Sequence, residues 1–180
     1  PERIRYAGKM HPKYQWLVGD VHDMNFADDT FGGATIMFAL QRFLDPLSAL
    51  KEVKRVLQYH RTVAIVSPSH AQLSERPELR FFSRALAYEL RRFPDVPDIA
   101  RLLVAAGFYD IRNEEYHEEG PVIDDSFISW VESRPYSSLR QLDDAQFMLG
   151  MNALRNYAIS IPKAMRVSNA TTILLGRKRP

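Results

Sequence analysis

Short apolar runs alternate along this chain with stretches whose apolar residues recur every three or four positions. Tyr14 to Val18 is an apolar run closed by Gly19-Asp20, which predicts a buried strand ending in a turn. Ala27 to Gly33 is polar and turn-rich. Ala34 to Leu40 is apolar apart from Thr35, as in a strand covered on both faces of a parallel sheet. Asp45-Pro46 reads as a helix start: the aspartate accepts from free amides of the first turn, and proline at the first helical position gives up no needed donor. Leu47, Leu50, Val53 and Leu57 then recur at helical spacing, with Lys51, Glu52, Lys54 and Arg55 mostly on the other side. Thr62 to Ser67 is a further strand, so this stretch predicts a βαβ unit with a right-handed crossover.

Downstream, the pattern predicts a helix from about Leu79 to Leu90 and a turn at Phe93-Pro94. Asp95 caps a further helix with apolar positions Ile99, Leu102, Leu103 and Ala106, and Gly107 ends it where a left-handed residue is wanted. Tyr109 to Tyr116 reads as a strand. Two helices follow, Ser126 to Glu132 and Asp143 to Tyr157, the second burying Phe147, Met148, Met151 and Leu154. Ala170 to Leu175 is a last strand. The alternation predicts an α/β domain over residues 1–180, Rossmann-like, with a mainly parallel sheet and flanking helices. Residues 120–166 are expected to form a helical insertion before the last strand.

Composition narrows the function classes. With 180 residues, 46% hydrophobic and 26% charged, the chain has the size and make-up of one globular domain. No apolar run approaches the roughly 20 residues that span a bilayer. The opening Pro-Glu-Arg-Ile-Arg-Tyr lacks the apolar core of a signal peptide, so no membrane association is expected. The absence of cysteine excludes disulfides and thiolate metal sites, and agrees with a cytoplasmic location. His11, His22 and His60 have no metal-ligand spacing, so no metal is expected. The net charge is only +2. Arg76, Arg80 and Arg84, followed by Arg91 and Arg92, are interrupted by Glu75, Glu78 and Glu89, which reads as a solvated helix face rather than a nucleic-acid surface.

Several motifs occur in a telling order. Asp23-Met24-Asn25-Phe26-Ala27-Asp28-Asp29-Thr30-Phe31 is followed by Phe38-Ala39-Leu40-Gln41-Arg42-Phe43-Leu44-Asp45-Pro46, by Leu50-Lys51-Glu52-Val53-Lys54-Arg55-Val56-Leu57 and by Leu103-Val104-Ala105-Ala106-Gly107-Phe108. This series resembles the class I S-adenosylmethionine-dependent methyltransferases, specifically the methyltransferase type 11 and ubiquinone-biosynthesis-like members. The resemblance implies S-adenosylmethionine as cofactor and methyl transfer to a small organic acceptor. It implies that Gly19 and Asp20 end the family's third strand, that Asp20 accepts from the adenine amino group, and that the Val21 backbone donates to the ring. Ile36, Met37 and Phe38 would line the sulfonium end, with Phe43 closing over it. Ligands at the carboxyl ends of parallel strands are the general rule for such sheets.

The chain also departs from the family. Gly32 stands where an aspartate is usual, and Gln58-Tyr59-His60 replaces Pro-Gly-Gly, which implies a turn of another conformation. The glycine-rich first loop and the family's first two strands have no counterpart here. The sheet is therefore expected to be incomplete on its N-terminal side, between the Tyr14 and Ala34 segments. Either the Tyr14 strand moves in beside Ala34, or another chain fills the slot as a homodimer or partner, or the chain is a fragment of a longer enzyme, the reading the motifs favour. Cofactor binding by this chain alone is expected to be weak or absent. Methyl transfer needs mainly alignment, with a base only where the nucleophile must lose a proton. Candidate bases are His70, Tyr116 and His117, and Trp130, Arg134 and Tyr136 are candidates for acceptor binding. The alternative is a degenerate, non-catalytic module that pairs with another chain through the open sheet edge.

Overall fold

The computed structural model describes residues 2–162 and 166–180. Helix α1 (Glu2–Met10) is followed by irregular chain from His11 to Gly33. The expected strand at Tyr14–Val18 is absent: this segment is coil, with Tyr14, Leu17 and Val18 exposed. A strand is stable only where a neighbour takes up its amides and a core takes up its side chains, and no described strand lies beside this one. Trp16 instead folds back locally, its indole N–H donating to the His11 carbonyl at 3.1 Å.

The βαβ unit forms as patterned. Strand β1 (Ala34–Met37) stops earlier than its apolar run, because Phe38 turns to φ +49° and a 3-10 turn at Leu40–Arg42 buries Leu40. Helix α2 (Pro46–Val56) begins at Asp45, whose side chain accepts from Ser48 N. It buries Ala49, Leu50, Val53 and Val56. Strand β2 (Thr62–Ser67) hides every second residue, Val63, Ile65 and Ser67. Helix α3 (His70–Glu75) follows a reciprocal Ser69–Gln72 cap. The single helix read from Leu79 to Leu90 is two, α4 (Pro77–Arg80) and α5 (Ser83–Arg92), interrupted at Phe81-Phe82 so that Phe82 can enter the core at 2% exposure.

Asp95 caps helix α6 (Val96–Ala105), and Gly107 follows it at φ +88°, as the sequence indicates. Strand β3 (Phe108–Val122) runs well past Tyr116. Helices α7 (Asp125–Glu132), α8 (Ser137–Arg140) and α9 (Asp144–Ser160) make up the insertion before β4 (Arg166–Lys178). Residues 163–165 of that insertion lie outside the described residues.

The sheet order is β1-β2-β4-β3. Only β1 and β2 are parallel, Ala34 facing Val63, while β4 runs against both β2 and β3. The α/β architecture with flanking helices therefore holds, but the sheet is mixed rather than mainly parallel. A parallel pair needs a helical crossover between adjacent strands, and here β4 wedges between β2 and β3 in the opposite sense. One core joins the sheet to α2 and α6 through Ile36, Leu50, Ile65, Ile99, Leu103 and Leu174. A second lies among α3–α5 and α7–α9, around Leu73, Phe82, Val131, Leu139, Met151 and Leu154. Gly150 lets α9 meet Phe82 closely: a Cβ there would overlap the ring and lie 2.9 Å from the Phe81 carbonyl oxygen.

Candidate functional site

The loop of residues 20–31 is pinned along α2 by one arginine in the last turn of that helix. Arg55 Nε and Nη2 donate to both oxygens of Glu52 at 2.8 and 2.6 Å. Its Nη2 also donates to the Met24 carbonyl at 2.9 Å, and Nη1 to the Phe26 carbonyl and the Asp28 carboxylate, each at 2.7 Å. Glu52 in turn accepts from Met24 N at 2.8 Å. The Arg55 bonds, together with that amide, hold the Glu52 carboxyl down at about 2.

Asp20 lies in this loop, exposed to solvent. Its Oδ1 accepts from His22 N at 2.9 Å and from the His22 ring at 2.7 Å, and these bonds lower its carboxyl below the ordinary range. Asp45 N donates to His22 Nε2 at 3.3 Å, so the proton sits on Nδ1, the nitrogen facing Asp20. Nothing lies within 4 Å of a Cβ placed on Gly19, so close packing is not what calls for glycine there.

Two cavities adjoin the end of β1. An apolar cleft of about 380 Å³ is lined by Val21, Met24, Ile36, Met37 and Phe43, among others. Asp20 and Gly19 border a neighbouring cleft of about 460 Å³ that shares Val21 and Met24 with it. On the side of Phe38 a second cavity, about 370 Å³, runs between Phe38, Arg42, Arg76, Arg92, Phe93 and Tyr136. The seven residues expected at the cofactor thus divide: Gly19 and Asp20 lie in the outer cleft, Val21, Ile36, Met37 and Phe43 in the apolar cleft, and Phe38 in the second cavity.

The residues expected to bind acceptor also separate. Tyr136 lines the second cavity and a smaller pocket of about 170 Å³, where it meets Trp130 edge-on with ring centroids 5.6 Å apart. Burial pushes the Tyr136 hydroxyl up, and the neighbouring Glu78 adds to the effect, so this phenol stays protonated at neutral pH. Arg134 lines neither pocket. It pairs with Asp144 at 2.7 Å, donates to the Leu142 carbonyl and stacks 4.0 Å from the Phe147 ring centre, which fixes the link between α7 and α9.

The three candidate bases stand apart from both cavities. His70 Nε2 lies 2.8 Å from the Phe93 carbonyl and must donate to it, while His70 N donates to Asp95, so the residue joins the starts of α3 and α6. Tyr116 and His117 sit exposed on β3, with His117 3.3 Å from Glu115. Arg76 and Arg92 are functional candidates that the sequence reading placed on a solvated face. Arg80, Arg84 and Arg91 do face solvent, but Arg76 and Arg92 turn inward. The Pro77 next to Arg76 was the one available sign that the helical row breaks there.

A methyltransferase domain family matches residues 1–65. The 2-phytyl-1,4-naphtoquinone methyltransferase of Thermosynechococcus vestitus is 30% identical over 127 residues, covering 61% of this chain and 56% of that protein. The demethylmenaquinone methyltransferase of Paenarthrobacter aurescens is 25% identical over 130 residues, covering 60% of this chain and 50% of that protein. The chain spans about half the length of these curated relatives. Among solved structures, one described as a methyltransferase from an antibiotic biosynthesis pathway of Anabaena variabilis superposes with a TM-score of 0.66 at 14% identity, covering 92% of this chain and 74% of that one. The [4+2]-cyclase SpnF superposes at 0.56 with 16% identity, over 99% of this chain and 64% of that one. The chain is thus similar to the methyltransferase domain family in the sequence of its first 65 residues, and it shares the α/β fold of these solved structures.

Proposed function

We propose that the chain serves S-adenosylmethionine-dependent methyl transfer to a small organic acceptor, in the manner of the quinone methyltransferases it resembles. The observation that carries this reading is a pair of cavities flanking the end of β1, with Met37 lining one and the adjacent Phe38 lining the other. A donor lying along Val21, Met37 and Phe43 and an acceptor beside Phe38 would be brought next to each other there. The bound sulfonium supplies an electrophilic methyl group. The work left to this chain is to orient both partners and keep water away. Both His22 bonds fall on Asp20 Oδ1, which leaves Oδ2 for the adenine amino group. Apolar Met37, Ile36 and Phe43 suit the methylene chain around the sulfonium. Fold alone does not decide the chemistry, as the cyclase on the same fold illustrates.

The test is titration of the purified chain with S-adenosylhomocysteine, followed by NMR. Weak binding that shifts the Val21 and Met37 signals, and is lost in Asp20→Ala, is the expected result. No shift at these residues would favour the second reading, a non-catalytic module. The observation behind that alternative is β1, which among the described strands pairs on one side only.

A further inference from the structure

The second cavity carries more charge than a purely quinone-like acceptor requires. Arg42, Arg76 and Arg92 line it against one glutamate, Glu89. Of the two acidic groups close by, Glu89 forms an ion pair with Arg92, its Oε2 lying 3.0 Å from Arg92 Nη2 but buried without a hydrogen bond, and Glu78 accepts from the Tyr136 hydroxyl at 3.5 Å. Arg76 is different: among the described residues its side chain makes no hydrogen bond or ion pair, and its Nε is buried without a partner. Arg92 Nε is buried and unpartnered as well. A guanidinium nitrogen withdrawn from water without an acceptor costs free energy, and a ligand anion relieves that cost.

The two arginines are also differently held. Arg92 is fixed by Glu89, by Ser137 Oγ at 3.4 Å, and by stacking 5.2 Å from the Phe93 ring centre. Arg76 borders both this cavity and the smaller pocket of Trp130 and Tyr136, at the point where the two join. Between them run the apolar walls of Phe38, Leu73, Leu79 and Phe93. A flat apolar body with an acid group at its edge matches that distribution, and a planar guanidinium matches a carboxylate with two parallel bonds.

We propose that this cavity binds a planar, carboxylate-bearing small molecule, with Arg76 as the principal anion-binding residue and Arg92 supporting it. Calling that molecule the methyl acceptor rests on the methyl-transfer reading; the binding itself does not.

The probe is 1-hydroxy-2-naphthoate, compared with its neutral isostere 1-hydroxy-2-naphthamide, by calorimetry on the 180-residue chain. The naphthoate is expected to bind at least about tenfold more tightly. Arg76→Gln removes that preference without lowering the melting temperature, since Arg76 has no protein partner to abandon. Arg76→Lys, a point charge without the fork, restores only part of it. Equal binding of acid and amide, absence of binding by the acid, or a preference that survives Arg76→Gln would overturn the proposal. If the acid binds as expected but S-adenosylhomocysteine shifts nothing, the anion site stands and methyl transfer falls. If S-adenosylhomocysteine binds and the naphthoate does not, the reverse holds.

Discussion

Lys178 Nζ lies 2.7 Å from the Asp29 carboxylate, joining the last residue of β4 to the turn before β1 across 149 positions of sequence. The same ammonium donates to the Leu57 carbonyl at 2.6 Å and to the Arg55 carbonyl at 3.2 Å, so its three protons are all taken. Only 7% of the residue is exposed. Lys178→Met takes a donor from the Leu57 carbonyl and from the partly exposed Asp29 carboxylate, while the Arg55 carbonyl keeps the Asp29 amide at 3.1 Å. The expected loss is about 2–4 kcal/mol, read as a lower urea midpoint with an unchanged slope.

The turn that Lys178 closes contains a second local cost. His60 sits at φ +64°, in the left-handed region that glycine favours, with its amide bonded to the Lys178 carbonyl at 3.0 Å. In the Gln58-Tyr59-His60 turn it is a histidine that holds this left-handed conformation. A side chain in that region costs about 1 kcal/mol, and a β-branched one costs more. His60→Gly is expected to raise stability by up to about 1 kcal/mol, part of the relief being offset by the freer unfolded chain, whereas His60→Val lowers it. Thermal melts of the two variants check this: both shifts in the same direction would show that the turn is unstrained.

Glu52 gives the fold a pH dependence with a definite sign. Its folded carboxyl titrates at about 2 against an ordinary value of 4.5, because the Arg55 guanidinium and the Met24 amide favour the charged form. A depressed acid contributes stability that is fully present above the unfolded value and is lost as pH falls through the folded one. The stability difference between the native chain and Glu52→Gln should therefore be flat from pH 7 to 5, shrink below 4.5 and be gone near 2. Urea titrations of both at several pH values measure it. A difference that does not change with pH would mean that Glu52 acts through packing.

What could be read from the sequence was what is decided locally. Asp45 and Asp95 start their helices and Gly107 ends one because each acts on amides or carbonyls within a turn of itself. The Tyr14–Val18 segment has the apolar composition of a strand, but a strand is a property of a pair, and its neighbours are not among the described strands. The arginines show the same limit in the helical region. Arg76 and Arg80 look alike at four-residue spacing, yet Arg76 is extended at the N-cap of the helix that starts at Pro77 and Arg80 lies within it, which separates their directions. Only the packing of α3–α5 against α7–α9 decides which guanidinium meets a cavity.

The open side of β1 gives the last expectation. Phe38 N donates to the Val66 carbonyl at 2.9 Å, so by alternation the amides and carbonyls of Thr35 and Met37 point away from β2. Thr35 and Met37 are exposed, Met37 at 61%, beside the apolar cleft of Met24 and Phe31. An edge of this kind, short but flat and apolar, invites another strand. We therefore expect the purified chain to self-associate with rising concentration, through β1. Proline at position 35 removes an outward donor without touching the ladder to β2, because a proline on the free side of an edge strand costs that ladder nothing. Light scattering on the native chain and Thr35→Pro decides the matter. Association suppressed in the variant places the contact on this edge, while a monomer at every concentration shows that the loop of residues 11–33 already shields it.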